Sequence, residues 1–137
     1  MNFLFVGIGG FFGSILRIWV GETLSVYSFN TIVSYHTLIV NLLGSYLLAF
    51  FLVYVNLSDS LIPANFKKGI SIGFLGSFTT FSTFSIETVL LFQNGEIKLA
   101  LFYVLVSFIG GFIFAWLGLK SGFYFINIRK KILLGKR

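Results

Sequence analysis

The sequence predicts an all-α membrane protein with four transmembrane helices, the third of them broken. Three observations predict it. Apolar residues fill 57% of the 137 positions and charged residues only 10%, where a soluble domain carries about 25% charged. The apolar residues gather into four segments, each near the roughly 20 residues that cross about 30 Å of hydrocarbon. The run Gly73–Glu87, GFLGSFTTFSTFSIE, crowds hydroxyl side chains into the middle of one such segment. Polar groups at that depth are tolerated only against protein or a water-lined cavity. A soluble chain of buried helices would need polar faces, and these segments offer none. At this length the expectation is a single transmembrane domain, residues 1–137.

The first span is expected at about 3–20. It lacks the basic n-region and small-residue cleavage site of a signal peptide, and three more spans follow it. Gly9 and Gly13 are four residues apart, the small-xxx-small spacing that lets two helices approach closely. Arg17, near the end of this span, either stands in an aqueous vestibule or reaches to lipid headgroups. The second span, about 37–55, places Thr37, Asn41 and Gly44 on one face by their spacing. Leu57–Phe66, with Asp59, Ser60 and the only proline, Pro63, reads as a loop. The third span is expected at about 69–92. The fourth, about 99–119, carries Tyr103, Ser107 and Gly111 at four-residue intervals on one face. Ser121–Ile128 lies at the interface or extends that span, within a basic cytoplasmic tail, 120–137.

Charge fixes the expected orientation. Lys67 and Lys68 precede span three, and Arg129, Lys130, Lys131, Lys136 and Arg137 follow span four. Four spans put both groups and the N-terminus on one side. The other side holds Glu22, Glu96 and Lys98. Positive residues concentrate in the cytoplasm, so the reading is a multi-pass protein of a bacterial-type cell membrane with both termini inside. The net charge of +6 then reports topology and contact with anionic lipid, not nucleic-acid binding.

Within span three, Gly73, Gly76 and the run Thr79, Thr80, Ser82, Thr83 and Ser85 weaken helix continuity. A break near Gly76–Thr80 would free backbone groups that a neighbour, water or an ion must satisfy. Without a break, the hydroxyls would bond to the preceding turn. Phe78, Phe81 and Phe84 recur every third residue. Their positive edges suit an anion, and the Asn41 amide and hydroxyls such as Ser107 can replace part of its water shell. The alternative is an ordinary apolar stripe, since 19 of the residues are Phe. Glu87 must be paired, hydrogen-bonded or hydrated at its depth. His36 reads as an interfacial side chain. The polar faces of spans two to four would be unsatisfied in lipid, which calls for an oligomer. The chain has no cysteine, one histidine and four acids, and no GxxxxGK[ST] run. It is not expected to be an enzyme or an ATP-driven pump.

The segments GGFFGSILR (Gly9–Arg17), TLIVNLLGS (Thr37–Ser45) and GFLGSFTTFSTFSIE (Gly73–Glu87) resemble the Fluc/CrcB family of small membrane fluoride channels. The resemblance covers all four spans, roughly 3–119, and the third motif is the most specific. It implies an antiparallel, dual-topology-type dimer, a broken third helix and two narrow fluoride pathways, each built from both subunits. By this resemblance Phe81 and Phe84 are the rings that contact fluoride, and Asn41 is a donor beside them. Tyr103, Ser107, Thr37 and Glu87 line the path, and Arg17 stands near the vestibule. The backbone carbonyls of Gly76 and Thr79 would hold a structural sodium ion, Na+, at the dimer centre. Gly111 stands where some relatives carry a hydroxyl.

The resemblance implies passive fluoride export and protection from fluoride. The alternatives are a small proton-coupled exporter, which would need a titratable residue inside a span, or an accessory subunit of a heterodimeric channel. The strong charge asymmetry favours a fixed orientation. An antiparallel dimer would then need a homologous partner that inserts the other way, with a homodimer as the other possibility.

Overall fold

Apolar composition and lipid-length segments leave the backbone no polar partner but itself, so each span folds as a helix. A computed structural model describes residues 2–25, 35–57 and 62–134. Asp59 and Ser60 of the expected loop, and Lys136 and Arg137 of the expected tail, lie outside the described residues. Helix α1 spans Asn2–Ser25 and α2 spans Tyr35–Leu57. The third span is composite: α3 (Ala64–Lys68), a π-helical segment (Gly69–Leu75), α4 (Gly76–Phe78) and, after a break, α5 (Phe81–Gln93). Helix α6 runs Ile97–Leu134. Among the described residues four helical stretches are long and apolar enough to cross a membrane: Phe3–Leu24, Tyr35–Leu57, Ala64–Gln93 and Ile97–Ile132. The protein is an all-α, multi-pass membrane protein.

Two features depart from the expected boundaries. The third span begins inside the stretch read as loop, because Pro63 sits one residue before α3, where its missing N–H costs nothing. Helix α6 does not end at Leu119 but continues fifteen residues further, to Leu134. No proline interrupts it, and Gly118 and Gly122 let it stay packed on α2: a Cβ at Gly118 would meet the Tyr46 carbonyl, and one at Gly122 would stand 2.9 Å from Val53 Cβ.

The helices form two close pairs. Helix α1 lies along the first half of the third span, and α2 lies along α6. In lipid no hydrophobic force joins helices, so small residues and polar contacts decide the pairing. The Gly9–Gly13 pair does what its spacing predicts. A Cβ at Gly9 would run into the Gly69 carbonyl, and one at Gly13 into the Phe74 carbonyl. Backbone thus meets backbone across this seam. Gly13→Val is therefore expected to cost about 1–3 kcal/mol or more, because the obstructing atom is main chain and cannot rotate away. Thermal melting of the purified protein reads this out directly.

Helix α5 ends with Asn94 and then Gly95 at φ +79°, the left-handed conformation that glycine adopts without steric cost. Gly95 N–H bonds to the Phe92 carbonyl and Glu96 N–H to that of Leu91, and the chain turns directly into α6. This short turn sets α5 against α6, with Leu91, Ala100 and Tyr103 buried together between them.

Candidate functional site

The break is at Thr79 and Thr80. Helix α4 stops at Phe78; Thr79 has ψ 156° and Thr80 lies at φ −143°, ψ 118°. Two extended residues in mid-span leave main-chain groups without helical partners. The Asn41 side chain satisfies Thr80 twice. Its Nδ2 donates to the Thr80 carbonyl at 2.9 Å, and its Oδ1 accepts the Thr80 N–H at 2.8 Å. Thr80 in turn caps α5, its Oγ1 accepting the Thr83 N–H at 3.2 Å. A Cβ at Gly44 would collide with Thr79 Cγ2, so glycine there lets α2 reach the break. The three α2 residues assigned to one face all meet the third span: Thr37, Asn41 and Gly44.

Glu87 is buried and doubly bonded. Thr37 Oγ1 donates to its Oε1 at 2.8 Å, and Tyr103 Oη to its Oε2 at 2.6 Å. One carboxyl group therefore joins α2, α5 and α6. Of the environments expected for Glu87, paired, hydrogen-bonded or hydrated, it has hydrogen bonds, and the partners are two hydroxyls. The Tyr103 ring also packs on Phe84, with centroids 5.2 Å apart at 47°, and Phe84 packs on Phe81 at 5.9 Å and 44°. Phe81 is 80% exposed. Phe78 does not continue the stripe. It is buried on the far side of the break, its ring 6.4 Å from that of Phe74 and parallel to it.

Ser107 Oγ is buried and has no protein hydrogen-bond partner. It lies one turn along α6 from Tyr103. Gly111, the next on that face, lies close to the Ser45 hydroxyl, which would stand 3.8 Å from a Cβ there; that hydroxyl donates to the Asn41 carbonyl at 2.8 Å.

Two cavities flank the break. One, of about 430 Å³, is walled by Arg17 and Glu22 of α1, His36 and Thr37 of α2, and Thr80 and Thr83. The other, about 280 Å³, is bordered by Asn41, Ser45, Thr79, Thr80 and Phe81. Thr80 borders both. His36, read from the sequence as interfacial, lines the first cavity, because Gly21 on α1 leaves room for its ring 3.4 Å from where a Cβ would be.

The expected sodium ion is corrected. Among the described residues no group of three or more His, Cys, Asp or Glu side chains could hold a metal. Near the break, the carbonyls of Leu75, Gly76 and Thr80 have side-chain neighbours within the chain. Thr79 Oγ1 donates to the Leu75 carbonyl at 3.1 Å and lies 3.4 Å from that of Gly76, and Asn41 takes the carbonyl of Thr80.

Thr80 is the residue that sequence reasoning missed. It holds the break together and borders both cavities, yet among the hydroxyls it was only one of a run. The available signal was its position as an N-cap directly before the FSTFSIE helix.

The family model described as CrcB-like protein, Camphor Resistance (CrcB), matches residues 4–119. Similar proteins include fluoride-specific ion channel FluC 1 of Bacillus cereus (strain ATCC 10987 / NRS 248), 40% identical over 125 residues, covering 91% of this chain and 90% of that one. FluC 2 of Staphylococcus haemolyticus is 44% identical over 124 residues, 89% of this chain and 97% of that one. FluC 1 of Desulfitobacterium hafniense is 46% identical over 109 residues, 80% of this chain and 92% of that one.

Proposed function

The chain belongs to the CrcB-like family, and on that premise we propose that it is a passive fluoride-selective channel that lets fluoride leave the cytoplasm and so lowers its toxicity. Relatives named as fluoride-specific ion channels over nearly the whole length support the ion's identity. The observation that carries the reading is the broken third span with a cavity on each side of Thr80. Donors without permanent positive charge are the second N–H of the Asn41 amide, on the wall of the smaller cavity, and the Ser107 hydroxyl on α6 that no protein atom satisfies. Weak neutral donors can replace water around a small anion without trapping it. Arg17, on the wall of the larger cavity with Glu22, gives that vestibule a positive side chain that attracts anions. An inside-negative potential then favours efflux by about 2.3 kcal/mol per 100 mV.

The rings of Phe81 and Phe84 contact fluoride along their edges in this reading, and Thr37, Tyr103 and Glu87 brace the path. Phe81, exposed in the single chain, completes the path against a second subunit that lies antiparallel. The ends of α2 and α6 that carry Tyr54 and Arg129 lie together, and α3 with Lys67 and Lys68 follows α2 closely. All these basic residues therefore share one end of the bundle, which supports a fixed orientation with both termini inside. The partner is then a homologous chain that inserts the other way. Cysteine tags on both termini of the chain expressed alone should label from the cytoplasmic side only; comparable labelling from both sides would overturn the fixed orientation.

The test of function is fluoride efflux from liposomes holding this chain, with and without that partner. Rapid efflux set by membrane potential and indifferent to a proton gradient is expected. Phe81→Ile should leave the fold of the chain intact, since the side chain is exposed in the single chain and the volume change modest, while lowering flux of the assembled dimer at least tenfold. Normal flux from purified, dimeric Phe81→Ile protein would rule out the ring-edge contact.

A further inference from the structure

Past residue 115, helix α6 has two differently built faces. Gly118, Gly122, Phe125 and Arg129 recur at intervals of four, three and four, and this face rests on α2. The Phe125 ring lies 6.1 Å from Phe50 and 6.0 Å from Tyr54, and Arg129 Nη1 reaches Tyr54 Oη at 3.5 Å. The outward face is Trp116, Lys120, Tyr124, Asn127 and Lys131, at intervals of four, four, three and four, and all five are exposed. At its start Lys120 Nζ stands 4.1 Å from the centre of the Trp116 ring. No acidic residue follows Glu96 in the sequence, so nothing on this helix neutralises the stripe.

We propose that this outward stripe is a binding site for an anionic phospholipid, with Trp116 against the glycerol and upper acyl region and Lys120, Tyr124 and Lys131 successively further out, the two lysines drawing the charged headgroup. Length supports the placement. Thirty-eight helical residues extend about 57 Å, against about 30 Å of hydrocarbon and 40–45 Å including headgroups. The fifteen residues beyond Leu119, about 22 Å of helix, therefore cross the headgroup layer and project past it. Indole and phenol rings settle at that depth, and lysines there attract anionic lipid. The uncompensated positive charge favours lipid over an apolar protein surface as the occupant. Packing on α2 holds the stripe in one orientation, which distinguishes a site from a mobile basic tail.

The test is native mass spectrometry of the full-length protein, titrated separately with phosphatidylglycerol and phosphatidylcholine. Lys120→Gln/Lys131→Gln is compared with Lys67→Gln/Lys68→Gln, which removes the same charge from α3. The expected result is selective retention of phosphatidylglycerol, weakened on the order of thirtyfold by the α6 double variant at about fivefold per lysine, with little change in the α3 variant. Millimolar inorganic phosphate should not compete. Equal weakening in both variants would mean diffuse charge attraction and overturn the site. So would equal retention of the two lipids, competition by free phosphate, or subunit dissociation caused by the α6 substitutions without lipid, which would assign the stripe to a protein partner. Fluoride flux in neutral lipid should be unchanged in the α6 variant.

Discussion

Asn41→Ala should abolish measurable fluoride flux and also destabilise the protein. One side chain supplies both the donor for the Thr80 carbonyl and the acceptor for the Thr80 N–H. Removing it strands two main-chain groups in the middle of a membrane span. Each buried group left unpaired costs about 1–3 kcal/mol, so the pair costs about 2–6 kcal/mol. The chain can respond by closing the break into continuous helix or by admitting water. Either response alters the narrow place between the two cavities, because Thr80 borders both. Flux and melting temperature should therefore fall together. An Asn41→Ala protein that melts like the parent would show that something else holds Thr80 extended.

Glu87→Gln should lower flux on the order of tenfold with a smaller loss of stability. The carboxyl group has an oxygen for each of its two hydroxyl donors, Thr37 and Tyr103. A glutamine keeps one oxygen and replaces the other with an amide donor, so one hydroxyl must turn round and accept. Hydrogen bonds to charged groups contribute about 1.5–3 kcal/mol and neutral ones about 0.5–1.5. The net loss is therefore about 1–3 kcal/mol, and the reorientation falls on Tyr103, which packs against Phe84. The same variant separates channel from exporter. Flux through a channel ignores a proton gradient before and after the substitution. Parent flux that follows the gradient, with loss of that dependence alone in Glu87→Gln, would make Glu87 a proton carrier and end the channel reading.

Much of the site was legible because its residues announce themselves by being out of place. Hydroxyls, an amide and a carboxyl group in apolar segments must find partners, and helical spacing alone put Thr37, Asn41 and Gly44 on one face. That face does meet the third span. The spacing of Phe78, Phe81 and Phe84 misled on one member. A three-residue interval aligns side chains only while the helix continues, and it stops between Phe78 and Phe81. The sodium expectation also failed. It gave the groups at the break to an ion, whereas no cluster of His, Cys, Asp or Glu among the described residues could hold a metal, and the Gly76 and Thr80 carbonyls have Thr79 and Asn41 beside them.

Membrane character, the number of spans, the weak point of the third and the polar faces can all be read from the order of residues alone. Those properties follow from the period of the helix and the energy of placing each side chain in lipid, both local. It took the packing of the helices to bring the Asn41 amide onto Thr80, to unite three helices at Glu87, to put His36 on a cavity wall and to hold one face of α6 on α2 as far as Arg129. Those outcomes depend on which partner stands within about 3 Å: residues 39 or 50 positions apart come that close only when the helices pack, and at Thr80 it is Gly44 that lets α2 reach the break.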